Sequence, residues 1–113
     1  MSERRAHPRF PVNWSARILL ADKSLHSAQI QNVSKGGLYF VFDQALAIGS
    51  TIGIEFFFNF RGERHRARAH AKVTNSALLS GNSGAGIGVQ FLDMDKDIYH
   101  AFNNVLQELS IQE

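Results

Sequence analysis

The sequence predicts a mainly β domain: a small antiparallel split barrel of about six or seven strands, finished by one C-terminal α-helix. Three observations predict it. Apolar and polar residues alternate through most of the chain, which is the period of a half-buried strand. Runs of Gly, Ser, Asn and Asp interrupt that alternation at short intervals. Only the last stretch changes to helical spacing.

Residues 1–9 hold few apolar side chains and read as an arm that orders late or on binding. Pro8 and Pro11 keep the backbone near them extended. Phe10, Val12, Trp14, Ala16, Ile18 and Leu20 recur at every second position. They define a first strand that turns Asn13, Ser15 and Arg17 the other way. Ala21 to Ser24 is a turn. His26 to Val33 is a second strand, with Ala28 and Ile30 on one face and Asn32 next in the same alternation. Ser34-Lys35-Gly36-Gly37 breaks it, and Leu38 to Phe42 resumes an apolar strand.

Asp43 to Ser50 is a connector ending in a Gly49-Ser50 turn. Thr51 to Phe60 is a long strand rich in Ile and Phe, and Arg61-Gly62-Glu63 is a hairpin turn. Arg64 to Thr74 sets Arg64, Arg66, Arg68, His70 and Lys72 against His65, Ala67, Ala69, Ala71 and Val73, one face outward and one packed. Leu79 to Gly84 is a loop, and Gly86 to Leu92 is the last strand. Asp93 or Asp95 caps a helix of about four turns whose stripe is Ile98, Phe102, Val105, Leu106 and Leu109, widened by Tyr99 and Ala101. That helix lids an open end of the barrel or covers an edge strand.

At 113 residues the chain fits one domain with its own core, an arm over 1–9 followed by the barrel and helix over 10–109. The absence of cysteine excludes a disulfide framework or a thiolate metal site. No apolar run follows the charged N-terminus, so a secretory signal is not expected. The strongest apolar stretch, Thr51 to Phe58, is too short to cross a bilayer and contains Glu55. These features describe a soluble, cytoplasmic protein without a transmembrane segment, monomer or dimer.

A net charge of +2 does not call for a long nucleic acid partner, but the charge is segregated. Arg4, Arg5, Arg9 and Arg17 come early, Arg61, Arg64, Arg66, Arg68 and Lys72 form a second basic run, and Asp93, Asp95 and Asp97 open the last segment. The basic strand is a solvated face, a source of positive potential beside the arm, or an interface for an acidic partner. The acidic trio suits a helix start. The histidines show no metal-ligand spacing, and no acid–base pair, nucleophile or cofactor motif stands out, so catalysis is not expected. Gly84, Gly86 and Gly88 precede a strand instead of opening a helix; they read as places of close backbone approach.

The residues with binding chemistry fall in two short motifs. Arg5-Ala6-His7-Pro8-Arg9, with Arg4 adjacent, offers guanidinium groups that pair with the O6 and N7 edge of guanine, stack on a base or clamp a phosphate. Asn32-Val33-Ser34-Lys35-Gly36-Gly37 offers an amide and a hydroxyl. Its glycines permit positive φ and close approach of a ligand, and turn N–H groups can cradle an anion. Taken singly, the first is also an ordinary basic arm and the second an ordinary turn.

Together, in this order and with this strand context, the motifs resemble the PilZ domain, a family of cyclic di-GMP receptors. The family carries RxxxR before its first strand, matched by Arg5 and Arg9. It carries [D/N]xSxxG between its second and third strands, matched by Asn32, Ser34 and Gly37. Gly86 to Phe91 looks like its closing GVxF-type strand, and the resemblance runs from about residue 4 to 109. It implies a binding module without a cofactor, whose ligand is cyclic di-GMP. Arg5 and Arg9, joined by Arg4, wrap over the nucleotide, and Asn32, Ser34, Gly36 and Gly37 hold it against the barrel. Asn32 stands where Asp is commoner in the family and accepts from guanine without a charge. Ordering of the arm then signals to a protein partner. Two other readings stand beside this one: a small barrel that binds nucleic acid through its basic strand and Phe56, Phe57, Phe58 and Phe60, and a PilZ-like adaptor that binds no nucleotide.

Overall fold

Alternation on this scale closes the strands on themselves. The computed structural model describes residues 7–111. Its strands are β1 (Phe10–Leu19), β2 (Leu25–Val33), β3 (Gly37–Phe42), β4 (Thr51–Phe60), β5 (Glu63–Leu78) and β6 (Ala85–Met94), followed by helix α1 (Lys96–Ile111). They form a closed six-stranded barrel in the order β1-β2-β3-β6-β5-β4, and every pairing is antiparallel. The β1–β4 seam, from Ala16 opposite Phe56 to Leu19 opposite Gly53, removes both edges. No edge is therefore left for α1 to cover, and its packing role is that of a lid. Phe102 is fully buried, with its ring centroid 5.7–6.3 Å from those of Trp14, Phe56, Phe58 and Phe91. No described helix is long and apolar enough to cross a membrane.

Size complementarity explains the alanines of β5. Ala67, Ala69 and Ala71 stand opposite Phe56, Ile54 and Ile52, and all six are buried. Small side chains on one strand leave room for large ones on its neighbour, which keeps the interior close-packed.

Two expectations need correction, and one alternative is resolved. β5 continues past Thr74 to Leu78, because Asn75 to Leu78 pair with Gly88 to Ala85 on β6 although they lack strict alternation. Asp95 alone caps the helix: its Oδ1 accepts the N–H groups of Asp97 at 3.0 Å and Ile98 at 3.1 Å. Asp93 stays on β6, where its carboxylate meets His70 Nδ1 at 3.0 Å. Finally, Asn32 leaves the face that holds Ile30. Ile30 and Val33 are both buried although they are an odd number of residues apart. An irregularity in the β2–β3 register between Ile30 and Asn32 supplies the extra residue and turns Asn32 outward.

A polar groove beside the β2–β3 turn

The bulge decides where the candidate site lies. After it, the chain folds back through Ser34 to Gly37, and the turn is closed by its own groups. The Ser34 N–H donates to the Gly37 carbonyl at 2.9 Å. Ser34 Oγ accepts from the N–H groups of Gly36 at 3.3 Å and Gly37 at 3.2 Å. Two outside contacts fix it further. The Gly36 carbonyl accepts from the Phe91 N–H at 2.9 Å, and the Lys35 carbonyl accepts from the Tyr99 hydroxyl at 3.1 Å. The turn is thus tied to β6 and to α1.

Space, not backbone twist, makes glycine necessary here. Positive φ occurs at Gly49, Gly62, Gly81 and Gly84, but not at Gly36 or Gly37, contrary to the conformational role expected for that pair. A Cβ on Gly37 would lie 1.9 Å from the carbonyl oxygen of Val89, so only glycine lets β3 begin this close to β6. At Gly36 the neighbour is a side chain: a Cβ there would lie 3.2 Å from His7 Cδ2. The histidine of the first motif therefore rests against the turn of the second.

Around this contact opens a groove of about 420 Å³. It is lined by His7, Arg9, Asn32, Ser34, Gly36 and Gly37, and also by Tyr39, Thr74, Asn75, Gly88 and Gln90. Arg9 is exposed, while Asn32, Ser34 and Gly36 are half-buried and Gly37 is buried. The described lining carries amides, hydroxyls and one guanidinium, and no carboxylate. Such a surface offers donors and acceptors to a flat heterocycle and a positive charge to an anion. The structure thus brings Arg9 to the same groove as Asn32, Ser34, Gly36 and Gly37. Arg4 and Arg5 lie outside the described residues.

Sequence reasoning does not single out His7, Tyr39, Thr74, Asn75 or Gln90. Gln90 was within reach, since Ile87 and Val89 face inward and Gln90 alternates with them. Tyr39 enters because it pairs with Asn32 across the bulge, and Thr74 and Asn75 because β5 runs on past its basic stretch. Neither pairing leaves a trace in a linear pattern.

The sequence model of the PilZ domain matches residues 3–109. The chain belongs to the PilZ domain family. PilZ domains are usually non-catalytic receptors for cyclic di-GMP. Solved structures share the architecture. The PilZ domain of YcgR from Escherichia coli, solved with c-di-GMP, superposes with a TM-score of 0.70 at 16% identity, over 97% of this chain and 94% of that one. The Bacillus subtilis inhibitor of motility MotI/DgrA gives 0.79 at 11% identity, over 99% of this chain and 55% of that one. The K. pneumonia MrkH–c-di-GMP complex gives 0.76 at 17% identity, over 99% and 54%. At such identities the likeness is one of fold. The chain spans about half the length of MotI and MrkH. No curated protein matches it in sequence.

Proposed function

We propose that this PilZ domain is a receptor for cyclic di-GMP, bound in the groove beside the β2–β3 turn. The observation that carries the reading is the meeting of Arg9 with Asn32, Ser34, Gly36 and Gly37 around one groove that holds no carboxylate among the described residues. Arg9 pairs with a guanine edge or a phosphate. Asn32 accepts from the guanine ring through its amide oxygen, and Ser34 with the glycines of its turn lets the nucleotide approach the barrel wall. Arg5, two positions before His7, and Arg4 close over the ligand as residues 1–9 order on the domain formed by residues 10–109. Ordering of the arm creates the surface that a protein partner reads, so that ligand occupancy selects between two states.

Titration calorimetry with cyclic di-GMP, with GMP and the linear dinucleotide as controls, tests this and reports stoichiometry. Cyclic di-GMP binds in the micromolar range, and Arg5→Ala and Arg9→Ala each abolish binding. Asn32→Asp strengthens it, because a carboxylate accepts the guanine N–H groups with charge assistance. Affinity that does not change in the arginine variants overturns the reading. A steep fall of affinity with added salt points instead to a polyanion, through counterion release.

A further inference from the structure

A second concavity of about 420 Å³ lies over β1, β4 and β5, whereas the polar groove is built mainly on β2, β3 and β6. Its character is different. Gly53 leaves a notch in the outer face of β4, with Leu19 Cβ 3.3 Å from where a Gly53 Cβ would stand. Leu19 and Leu25, paired in register across β1 and β2, line it and are 44% and 54% exposed.

Beside this apolar wall is a cluster of arginines. Glu55, with a side chain only 11% exposed, takes Arg17 Nη2 at 2.5 Å on Oε1, and on Oε2 Arg68 Nε at 3.1 Å and Arg66 Nε at 3.8 Å. The hydrogen bonds from Arg17 and then Arg68 hold its carboxyl below the usual range. One carboxylate thus gathers three guanidiniums that are 52–68% exposed, and positive charge remains in excess. Further along β5 a fourth, Arg64, lies over the Phe57 ring at 4.4 Å. Across the concavity Asp93 is already paired with His70. Arginines held by a half-buried carboxylate and by a ring have less conformational freedom left to lose when a partner arrives.

We infer that this face docks an extended segment of a partner protein in which carboxylates flank an apolar side chain. The apolar side chain enters the Gly53 notch against Leu19, with Leu25 extending the apolar wall on the far side of Leu19, and the carboxylates pair with Arg17, Arg66 and Arg68. The arginines alone would suit any polyanion, and the leucines decide the class. A sugar–phosphate backbone has nothing to place in an apolar notch. The inference gives the protein output of the proposed function a surface, but it needs no nucleotide.

The test is an amide-resolved NMR titration of the full chain, without nucleotide, with a synthetic decapeptide that sets leucine between runs of glutamate. Three controls replace its leucine by serine, replace its glutamates by lysine, or substitute single-stranded oligothymidylate. The expected result is shifts confined to Leu19, Gly53, Arg68 and their neighbours. The leucine-to-serine peptide binds about tenfold more weakly, the equivalent of partly burying one leucine. Leu25→Ser, an exposed change, weakens the glutamate–leucine peptide severalfold, and Gly53→Val fills the notch to the same end. Shifts located elsewhere, equal binding of the serine peptide, or tighter binding of oligothymidylate at these amides each overturn the inference. Because cyclic di-GMP is left out, failure here is separate from failure in the polar groove.

Discussion

Replacing Gly37 by alanine puts a methyl carbon 1.9 Å from the Val89 carbonyl oxygen and 3.0 Å from the Val89 carbonyl carbon. Real Cβ atoms essentially never stand closer than 3.0 Å to a neighbour, so the two strands must part by more than an ångström. Both sides of the clash are backbone, and no rotamer relieves it. The separation falls where β3 and β6 begin to pair, at Gly37 opposite Gln90. It also pulls on the Ser34–Gly37 bond that closes the turn. One or two backbone hydrogen bonds at about 0.5–1.5 kcal/mol each, with an overpacking strain of about 1–3 kcal/mol, give a loss of about 2–4 kcal/mol. That is a large part of the about 5–15 kcal/mol that holds a domain together, and it lowers the melting temperature by about 10–20 °C.

Urea unfolding followed by circular dichroism measures the loss directly, and Gly36→Ala is the internal control. A Cβ introduced at Gly36 would meet only the imidazole edge of His7, with Cδ2 at 3.2 Å, on an exposed side chain that can swing away. Gly36→Ala therefore stays within about 0.5 kcal/mol of the parent, and it weakens nucleotide binding by displacing His7. A Gly37→Ala protein as stable as the parent, or two variants of equal stability, would refute the assignment of that glycine to strand approach.

Two further predictions concern stability. Because Arg17 and Arg68 depress the Glu55 carboxyl, the unfolded chain takes up that proton at a higher pH than the folded one. The contribution is complete above the unfolded value of about 4.3 and is lost as pH falls through the lower folded value. Urea midpoints collected across the acid range should therefore fall less steeply for Glu55→Gln than for the parent. Some slope persists, since Asp93, through His70, and Asp22, through Ser24, are depressed as well; identical slopes would contradict the Glu55 account. His65 stacks on Phe58 at 5.2 Å with its Nε2 buried and lacking a partner among the described residues. His65→Phe keeps the stack, removes the unsatisfied nitrogen and gains about 1 kcal/mol. Thermal unfolding decides, and a lower melting temperature counts against the explanation.

What could be read from the chain and what could not divide along a physical line. Period-two burial is a local signal, so β1, β4 and the inward alanines of β5 were legible, as was the stripe of α1. Register is not local. The bulge after Ile30, which turns Asn32 into the groove, exists because Val33 must also reach the core, and only the pairing of β2 with β3 shows it. The continuation of β5 to Leu78 likewise depends on β6 being there to accept it. That Arg9 would share a groove with Asn32, Ser34, Gly36 and Gly37 could be anticipated from the order of the two motifs along the chain. The reason for Gly37 could not, since it lies in the Val89 carbonyl, far along the sequence.

The groove separates residues required by shape from residues required by chemistry. Gly37 answers to the backbone of the barrel: a Cβ there would lie 1.9 Å from the Val89 carbonyl oxygen. Arg9 and Asn32, which the proposed function assigns to the ligand, are not part of the packed core. Core positions tolerate exchange among apolar residues of suitable volume. A barrel can therefore be shared at TM-scores of 0.70–0.79 while identity drops to 11–17%. The two classes fail differently under mutation. Loss of a shape residue lowers stability and distorts the groove together, whereas loss of Arg9 removes affinity from a barrel that unfolds as before. A variant series that instead loses stability and affinity in proportion at Arg9 would mean that the arm belongs to the fold and not to the ligand.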